Sequence, residues 1–340
     1  MSLALSRDPN APLKVLIVKL SSLGDVLHTI PAVMDIHSAF PNAQIDWVVE
    51  RSLAPLVERC TAVQRVIPCE IRRWRKSFWQ AQAHRQTRIE WQAFRSDLQK
   101  EDYDVILDLQ GLTKSALVAW LARKTKSGQR FALANRTDGS GYEIPTRWVA
   151  DVAIPIRPHI HAVERGRLLC AKALGYVLPV HLNYGLGQAV KRCKPLVVLV
   201  HGTSRADKEW PFVYWLEIGR RLKLSGFDVV LPHGNEAERL RSIALAEKLP
   251  GAVVWPRMSL DQLTSEMAQC TGVIGVDSGL SHIAVALDLP HVQIYNFDTA
   301  WRTGPEGMAH QSSVVNDLTP DVDAVWQAWL ACLQAKGGVG

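Results

Sequence analysis

Short apolar runs alternate with amphipathic stretches along most of the chain. The run at 13–18 (LKVLIV) is nearly continuous and apolar, as expected of a strand buried on both faces of a parallel sheet, and further strands are predicted at 44–50, 64–68 and 103–109. Helical periodicity fills the intervals between them, and the run at 149–154 predicts one further strand. This βα repetition predicts an α/β fold with mostly parallel sheets.

The same alternation begins again after a polar stretch rich in proline and glycine. We therefore predict an N-terminal Rossmann-like domain at 1–180, a linker at 181–195 and a C-terminal Rossmann-like domain at 196–318. A final amphipathic helix at 319–340 is expected to pack back on the N-terminal domain. The second set of strands is predicted at 196–200, 228–231, 252–255, 271–276 and 291–295. The segment 124–147 is basic and weakly periodic, which favours a loop.

The helix after the first strand has two possible starts. It begins at Asp25 and carries Pro31 in its early turns, or it begins at Thr29 with Pro31 near its first position. The sequence is compatible with both.

In two such sheets, ligands bind beyond the carboxyl ends of the strands, so function is expected in the loops there. The stretch 271–282 (TGVIGVDSGLSH) joins a strand to a helix through Asp277, Ser278 and Gly279. Free amides, a hydroxyl and the positive end of the helix dipole favour a phosphate at this turn. The alternative is an ordinary N-cap.

Two other loops of the second domain carry polar groups that suit a nucleotide. In 201–211 (HGTSRADKEWP), the hydroxyls of Thr203 and Ser204 are donors, and Lys208 places a positive charge near a diphosphate. Glu238 follows the next strand and either accepts from ribose hydroxyls or caps a helix. For both loops, a helix N-terminus with solvated charges is the alternative.

The first domain offers a carboxylate and a basic cluster. In 19–25 (KLSSLGD), Gly24 permits a tight turn, and Asp25 is either a helix cap or a general base. The cluster at 71–76 (IRRWRK), with Phe78 and Trp79 nearby, favours an anionic acceptor, a membrane headgroup zone or a solvated face. Spaced glycines of a dinucleotide or P-loop motif are missing, which argues against NAD binding or ATP hydrolysis.

Composition narrows the class of protein. The chain has 340 residues, of which 47% are hydrophobic and 21% charged, with a net charge of +6. No apolar run is long enough to span a bilayer and residues 1–14 do not form a signal peptide, so we expect a cytoplasmic protein. Six scattered cysteines suggest reduced thiols and give no support to a metal site. The positive charge implies an anionic partner: nucleic acid, an acidic lipid surface or a phosphorylated small molecule.

Taken together, these motifs resemble those of the lipopolysaccharide heptosyltransferases, most closely the type I enzymes. The resemblance runs in order through KLSSLGDVLHTIPA, DWVVE, RVIPCEIRRWRK, LDLQGLTKSA, HAVER, HGTSRADKEWP, PRMSL and VDSGLSH, from about residue 13 to 295.

It implies a GT-B fold, with two Rossmann-like domains facing an interdomain cleft. It also implies inverting, metal-independent transfer of L-glycero-D-manno-heptose from ADP-heptose, a substrate rather than a cofactor, to the Kdo sugar of Kdo-lipid A. Such an enzyme works at the cytoplasmic face of the inner membrane, in peripheral contact with its inner leaflet.

The resemblance also assigns roles to residues. Asp25 would be the general base and Lys208 would stabilise the departing ADP. The nucleotide-sugar site would comprise Thr203, Ser204, Lys208, Glu238, Met258, Asp277, Ser278, Gly279 and His282. The acceptor site would comprise Ser22, Gly24, Arg72, Arg73, Arg75, Lys76, Gln110, Lys114 and Arg165, and Arg136 could extend it.

Two segments depart from the family pattern, and two rival functions stay open. Residues 295–305 (YNFDTAWRTGP) lack a glycine-proline turn directly after the last strand, and 124–148 shows no clear match. One rival is a heptosyltransferase II-like or other nucleotide-sugar transferase or epimerase. An epimerase needs no lipid acceptor site, so the basic cluster argues against it. The other rival is a basic nucleic-acid-binding protein, which predicts salt-dependent affinity for RNA or DNA.

Overall fold

The computed structural model describes residues 11–77, 84–186 and 194–337. The chain divides into two compact units, 1–187 and 188–340, so the boundary falls within the predicted linker. Each unit contains a six-stranded parallel sheet with helices. The sheets have strand orders β3-β2-β1-β4-β5-β6 and β12-β11-β10-β7-β8-β9, which is the doubly wound, Rossmann-like arrangement.

The first unit has six strands and eight α-helices in its described part. The strands are β1 (Lys14–Val18), β2 (Gln44–Glu50), β3 (Arg65–Cys69), β4 (Tyr103–Asp108), β5 (Lys124–Leu133) and β6 (Val152–Ile154). The helices are α1 (Leu23–Leu27), α2 (Ile30–Ala39), α3 (Ala54–Val57), α4 (Ile71–Ser77), α5 (His84–Leu98), α6 (Thr113–Leu121), α7 (Pro145–Val149) and α8 (Ala162–Leu174).

The second unit repeats the pattern. Its strands are β7 (Lys194–Val200), β8 (Asp228–Leu231), β9 (Val253–Val254), β10 (Cys270–Val276), β11 (His291–Tyr295) and β12 (Gln311–Val315). Its helices are α9 (Phe212–Leu224), α10 (Glu236–Ala246), α11 (Leu260–Ala268), α12 (Gly279–Ala286), α13 (Ala300–Thr303) and α14 (Val322–Ala335).

The central strands form because their side chains are apolar on both faces. In β1, Leu16 pairs in register with Asp46 of β2 on one side and Ile106 of β4 on the other, and both Leu16 and Ile106 are fully buried. Burial on both faces explains the nearly continuous apolar runs that predict these strands.

The two alternatives for the first helix are both partly correct. One short helix, α1, begins at Leu23, and a second, α2, begins at Ile30 with Thr29 as its N-cap and Pro31 in its first turn. Pro31 has no backbone N–H, so inside one continuous helix it would leave a hydrogen bond unmade. In the first turn of a separate helix no such bond is needed, and the chain therefore makes two helices instead of one.

Two parts of the sheets differ from the prediction. The segment 124–147 is not a loop: it contains β5 and α7, and β5 pairs in parallel with both β4 and β6. Its first half is polar and partly exposed, so only Phe131 to Leu133 carry the apolar signal of a buried strand. The edge strand β12 is also missed because its sequence, QSSVV, is mostly polar.

The C-terminal helix belongs to the second unit. Val325, Trp329 and Cys332 of α14 lie in the same hydrophobic core as Trp210 and Trp215. This differs from the prediction that the helix packs back on the N-terminal domain. The physical reason is that the apolar stripe of α14 covers one face of the second sheet, next to β11 and β12.

None of the helices in the described ranges is both long and apolar enough to cross a bilayer. Five cysteines in these ranges are buried and free, and Cys193 lies outside them.

Candidate active site

In the first unit, polar groups gather where β1 and β4 end. Lys19 follows β1 and is buried, and its Nζ donates to the backbone carbonyl of Leu109 at 3.0 Å. The same Nζ lies 3.5 Å from Oδ1 of Asp25. A buried ammonium needs such partners, because desolvation otherwise favours its neutral form. Lys19 therefore ties the end of β4 to the carboxylate at the start of α1.

The carboxylate of Asp25 is held from two sides. Its Oδ2 accepts hydrogen bonds from the backbone N–H of Ser22 at 3.0 Å and from the Ser22 hydroxyl at 2.8 Å. Burial raises the pKa of Asp25, but the charge of Lys19 and the two bonds from Ser22 outweigh it and lower the pKa below its usual value. The Asp25 side chain is still 37% exposed, so a ligand can reach it. The cap and the reachable carboxylate are one and the same group.

The loop after β4 shapes the loop after β1. Oε1 of Gln110 accepts from the backbone N–H groups of Leu20 and Ser21, at 3.0 and 3.1 Å. Asp108, at the end of β4, accepts from the N–H groups of Gln110 and Gly111 at 3.0 and 3.1 Å. Burial raises the pKa of Asp108 to about 6, against the opposing effect of these hydrogen bonds. The predicted acceptor residue Gln110 thus holds the 19–25 loop in place.

Two of the predicted acceptor cations meet at one hydroxyl. Oγ of the buried Ser21 accepts from Nη2 of Arg72 at 2.8 Å and from Nζ of Lys114 at 3.0 Å. Burial lowers the pKa of Lys114, and the positive charge of Arg72 lowers it further. Arg165 donates to the Thr137 hydroxyl at 3.1 Å. The result is a compact cationic site beside the Asp25 loop.

The remaining members of the 71–76 cluster divide into two kinds. Arg73 is engaged in ion pairs with Glu70 and Glu90, whereas Arg75 and Lys76 are exposed. Trp74 is buried in the core of the first unit and donates to Glu90, so it does not face a headgroup zone as the sequence suggested. Phe78 and Trp79 lie outside the described residues.

Other predicted acceptor groups belong to the backbone or to a neighbouring loop. Gly24 lies in α1, directly before Asp25. Arg136 donates to the backbone carbonyl of Ser140 at 3.3 Å, which keeps it on the loop after β5.

In the second unit, Asp277 is the centre of a polar cluster. Its Oδ2 lies 2.5 Å from Nζ of Lys208, and its Oδ1 lies 3.4 Å from Nε2 of His282 and 3.4 Å from Nε2 of Gln293. Burial raises the pKa of Asp277, but His282 and Lys208 outweigh that effect and lower the pKa below its usual value. Asp277 is therefore an ionised, largely buried group that positions a lysine and a histidine.

The start of α12 lies directly after this cluster. Ser278 is the N-cap residue, and its side chain does not cap the helix. Among the described residues, the buried hydroxyl oxygen of Ser278 has no hydrogen-bond partner. An uncommitted hydroxyl beside helix N–H groups is suited to an anionic ligand.

The other predicted donor residues surround the ends of β7 and β8. The hydroxyl of Thr203 donates to the backbone carbonyl of Asp277 at 3.4 Å, whereas Ser204 is exposed. Glu238 accepts from the N–H of Gly234 at 2.7 Å and from the side-chain amide of Asn235 at 2.9 Å. Its carboxylate thus holds the loop that leads into α10, whose N-cap is Asn235, and stays partly exposed.

Met258 is half-buried, and it lies just before α11, the helix that follows β9. It therefore belongs to the loop after the neighbouring strand.

Sequence reasoning missed three residues of these clusters. Lys19 and Ser21 lie inside the KLSSLGD motif, but only the structure shows that they hold Asp25, Arg72 and Lys114. Gln293 is buried in β11, and its one sequence signal is a polar residue within the apolar run HVQIY.

Two Rossmann-like units, each with charged groups at the carboxyl ends of its strands, form a GT-B-like fold. The family model described as glycosyltransferase family 9 (heptosyltransferase) matches residues 91–324. The lipopolysaccharide heptosyltransferase 1 of Pseudomonas aeruginosa is 40% identical over 300 residues, covering 87% of this chain and 82% of that protein.

Solved structures support the same family assignment. The E. coli heptosyltransferase WaaC with ADP has a TM-score of 0.83 and 36% identity, covering 93% of this chain and 98% of that chain. The same enzyme with ADP-2-deoxy-2-fluoro heptose has a TM-score of 0.77 and 35% identity, over the same 93% and 98%. The chain belongs to glycosyltransferase family 9, the heptosyltransferases, which confirms the resemblance and the fold inferred from the motifs.

Proposed function

We propose that this protein transfers L-glycero-D-manno-heptose from ADP-heptose to the Kdo sugar of Kdo-lipid A, with inversion, in lipopolysaccharide inner-core synthesis. The observation that carries the proposal is the similarity, over nearly the whole chain, to an enzyme solved with ADP and with an ADP-heptose analogue. The two charged clusters supply groups suited to the two halves of this reaction.

The donor half uses the second unit. Lys208 would place its ammonium against the diphosphate, and Ser278 would add its unpartnered hydroxyl next to the α12 N–H groups. Asp277, as an anion, would repel a diphosphate, so we assign it to holding Lys208 and His282 and to the heptose hydroxyls.

The outer donor contacts are assigned to the neighbouring loops. Thr203, Ser204 and the backbone at Gly279 would contact the phosphates, Glu238 the ribose and Met258 the adenine.

The acceptor half uses the first unit. The acceptor hydroxyl oxygen would attack the anomeric carbon of heptose, while the bond from that carbon to the diphosphate oxygen breaks and ADP leaves with the electron pair. Asp25 would take the hydroxyl proton. Asp25 is ionised at neutral pH and can accept the proton as the attack develops, although its lowered pKa makes it a weaker base than an ordinary carboxylate. Lys19 and Ser22 would hold the carboxylate in one orientation.

The acceptor anions would meet the cationic site. Arg72 and Lys114, joined through Ser21, would receive the carboxylate of Kdo, and Arg165 would extend the site. Arg75 and Lys76 are exposed and would contact phosphates of lipid A. Ser22, Gly24 and Gln110 would fix the loop that carries Asp25. Within the 71–76 cluster, Arg73 is the least suited to bind an acceptor anion, because it already forms ion pairs with Glu70 and Glu90.

The acceptor is a membrane lipid, so we place the protein at the cytoplasmic face of the inner membrane, in peripheral contact with the inner leaflet. A heptosyltransferase II-like enzyme would use the same donor with a different acceptor, and an epimerase would need no acceptor.

The test uses the purified full chain with ADP-heptose and Kdo-lipid A, with product detected by mass spectrometry. We expect one added heptose on Kdo-lipid A and no further addition to heptosyl-Kdo-lipid A. Addition only to the second acceptor would favour the type II activity. In parallel, calorimetry with ADP, UDP and GDP should show preference for ADP, and preference for UDP would remove the heptosyl assignment.

A further inference from the structure

Two tryptophans of the first unit lie exposed on neighbouring helices. Of the twelve tryptophans in the chain, Trp79 lies outside the described residues, and among the others only Trp120 and Trp148 are exposed, by 62% and 77%. Leu117 on α6 and Ile144, which precedes α7, are exposed by 40% and 58%. Large apolar side chains grouped in this way are a mark of an interaction surface.

Helices α6 and α7 lie side by side and run in the same direction. At their starts, the N–H of Thr113 donates to the Glu143 carboxylate at 2.6 Å. At their ends, Arg130 donates through its side chain to the carbonyl of Ala119 and through its backbone N–H to Asp151, both at 2.8 Å. Because the helices are tied at both ends, their exposed side chains form one continuous surface, the α6–α7 face.

The buried sides of the two helices show which way this face points. Val118 and Ala119 of α6 are buried in the core of the first unit, and Val149 of α7 packs against that core. Leu117 and Trp120 are three residues apart on α6, so they share the side that faces solvent. The α6–α7 face is therefore the outer surface of the layer that covers β4 and β5.

The surroundings of the face are basic. Residues 111–150 contain seven Lys or Arg and two Asp or Glu, and Arg123 and Lys124 pair with Asp102 and Asp151 outside this range, which leaves an excess of three positive charges. Arg147, next to Trp148, is exposed, and no ion pair of Arg147 is found with any described residue. Arg75 and Lys114 lie at the starts of the helices, where both act electrostatically on Glu143. An apolar face with a basic rim complements an anionic surface.

We propose that the α6–α7 face docks on an anionic lipid bilayer, with Trp120 and Trp148 inserted at the headgroup level. Tryptophan suits this depth because its ring is apolar and its N–H is polar, and surrounding Lys and Arg side chains attract anionic lipids. The face begins at the carboxyl ends of β4 and β5, the same edge of the sheet that carries Asp25, Arg72 and Lys114. Trp120 and Trp148 lie near the other ends of α6 and α7, so docking would hold this edge close to the lipid surface but not in it.

The experiment is flotation of the full chain with vesicles of phosphatidylcholine containing 30% phosphatidylglycerol, and with phosphatidylcholine alone. We expect binding to the anionic vesicles, a decrease of at least about tenfold at high salt, and little binding to the neutral ones. Trp120→Ser/Trp148→Ser should lower binding about tenfold or more. Trp120→Phe/Trp148→Phe should retain most of it. Brominated lipids should quench tryptophan emission of the wild type more than that of the serine variant.

The matched control is Leu224→Ser/Leu318→Ser, which removes two side chains of the second unit that are 89% and 86% exposed. It should bind like the wild type. Equal loss in the control, unchanged binding of the serine variant, or no binding of the wild type would each overturn the proposal. The proposal would also be overturned if light scattering shows that the wild type is a dimer and the serine variant a monomer, because the face would then join two copies of the chain. These vesicles contain no acceptor, so the outcome is separate from that of the transfer assay.

Discussion

Nζ of Lys208 lies 2.5 Å from Oδ2 of Asp277, directly before the helix whose N-cap hydroxyl has no partner among the described residues. The carboxylate is 8% exposed and the lysine 19%. A mostly buried ion pair fixes the lysine side chain in one orientation, which reduces the reorganisation needed when an anion binds. In our proposal, the lysine held in this orientation stabilises the negative charge of the departing diphosphate.

The first prediction concerns this lysine. Lys208→Ala should lower kcat by about 10²- to 10³-fold, the usual cost of removing one preorganised group that stabilises developing charge. Lys208→Arg keeps the charge but not the shape and should recover only part of the rate. Steady-state kinetics with saturating ADP-heptose measures this. Lys223→Ala breaks an exposed ion pair with Asp228 and serves as control, with rates within about twofold of the wild type. Equal effects at both positions would contradict the assignment.

The second prediction concerns Asp25. Asp25→Asn keeps the shape of the side chain but cannot take up a proton, so transfer should fall by about 10²- to 10⁴-fold. Affinity for ADP-heptose, measured by calorimetry, should stay within about threefold, because the assigned donor groups are all in the second unit. Asp102→Asn, which breaks an exposed ion pair with Arg123, is the matched control and should leave transfer unchanged. Transfer by Asp25→Asn at the wild-type rate would remove Asp25 as the base.

The third prediction concerns pH and the buried Asp108. Its pKa of about 6 lies above the usual value of 3.8, so between these values the folded state binds more protons than the unfolded state. This contribution makes the protein less stable as pH rises from about 4 to 6, and the loss is complete above that range. The pKa of Asp25 and of Asp277 is lowered instead, so their stabilisation is lost only as pH falls below about 4.

Asp108→Asn isolates this contribution. The unfolding free energy of the wild type, relative to the variant, should fall by about 2 kcal/mol between pH 4 and pH 7. Urea titrations at several pH values measure it. A difference that does not change with pH would show that Asp108 titrates near its usual value.

The sequence predicts the central strands well because the physics that forms them is local. Strands such as β1 and β10 are apolar on both faces, and the glycine and aspartate that follow them mark the turns at their carboxyl ends. It predicts β5 and β12 poorly because these strands are partly exposed and carry polar residues, so they lack the apolar pattern by which a buried strand is recognised. The helix α14 shows the same limit: its apolar stripe is visible, but the surface it covers is not.

In the candidate site too, the sequence predicts some features and misses others. The motifs identify Asp25, Lys208 and Asp277, but the pairing of Lys208 with Asp277 joins positions 69 residues apart. Arg72 and Arg73 are neighbours in sequence and equivalent by composition. Successive helix residues point in directions about 100° apart, so one reaches Ser21 and the other reaches Glu90. Only the tertiary structure can make that distinction.

This difference between the two arginines gives the fourth prediction. Arg72→Ala should raise KM for Kdo-lipid A about tenfold or more, because it removes a cation that lies beside the Asp25 loop. Arg73→Ala should change KM by less than about threefold and should mainly lower thermal stability, since its ion pairs join α4 to α5. Kinetics at varied acceptor and saturating donor separates the two. A larger effect at Arg73 than at Arg72 would mean that Arg73 leaves Glu70 and Glu90 when the acceptor binds.

The last prediction tests the position of Glu238 through a glycine that faces it. A Cβ added at Gly202 would lie 2.7 Å from Cδ of Glu238, so Gly202→Ala must displace the carboxylate. Because a flexible side chain can move at little cost, the fold should persist, while KM for ADP-heptose should rise about tenfold and kcat change less. Gly234→Ala is the matched control: its Cβ would lie 3.4 Å from Oε2 of Glu238, an ordinary contact, and the backbone N–H that donates to Glu238 is kept. If Gly202→Ala leaves KM unchanged, or if Gly234→Ala raises it equally, Glu238 does not contact the donor from the position it holds in this structure.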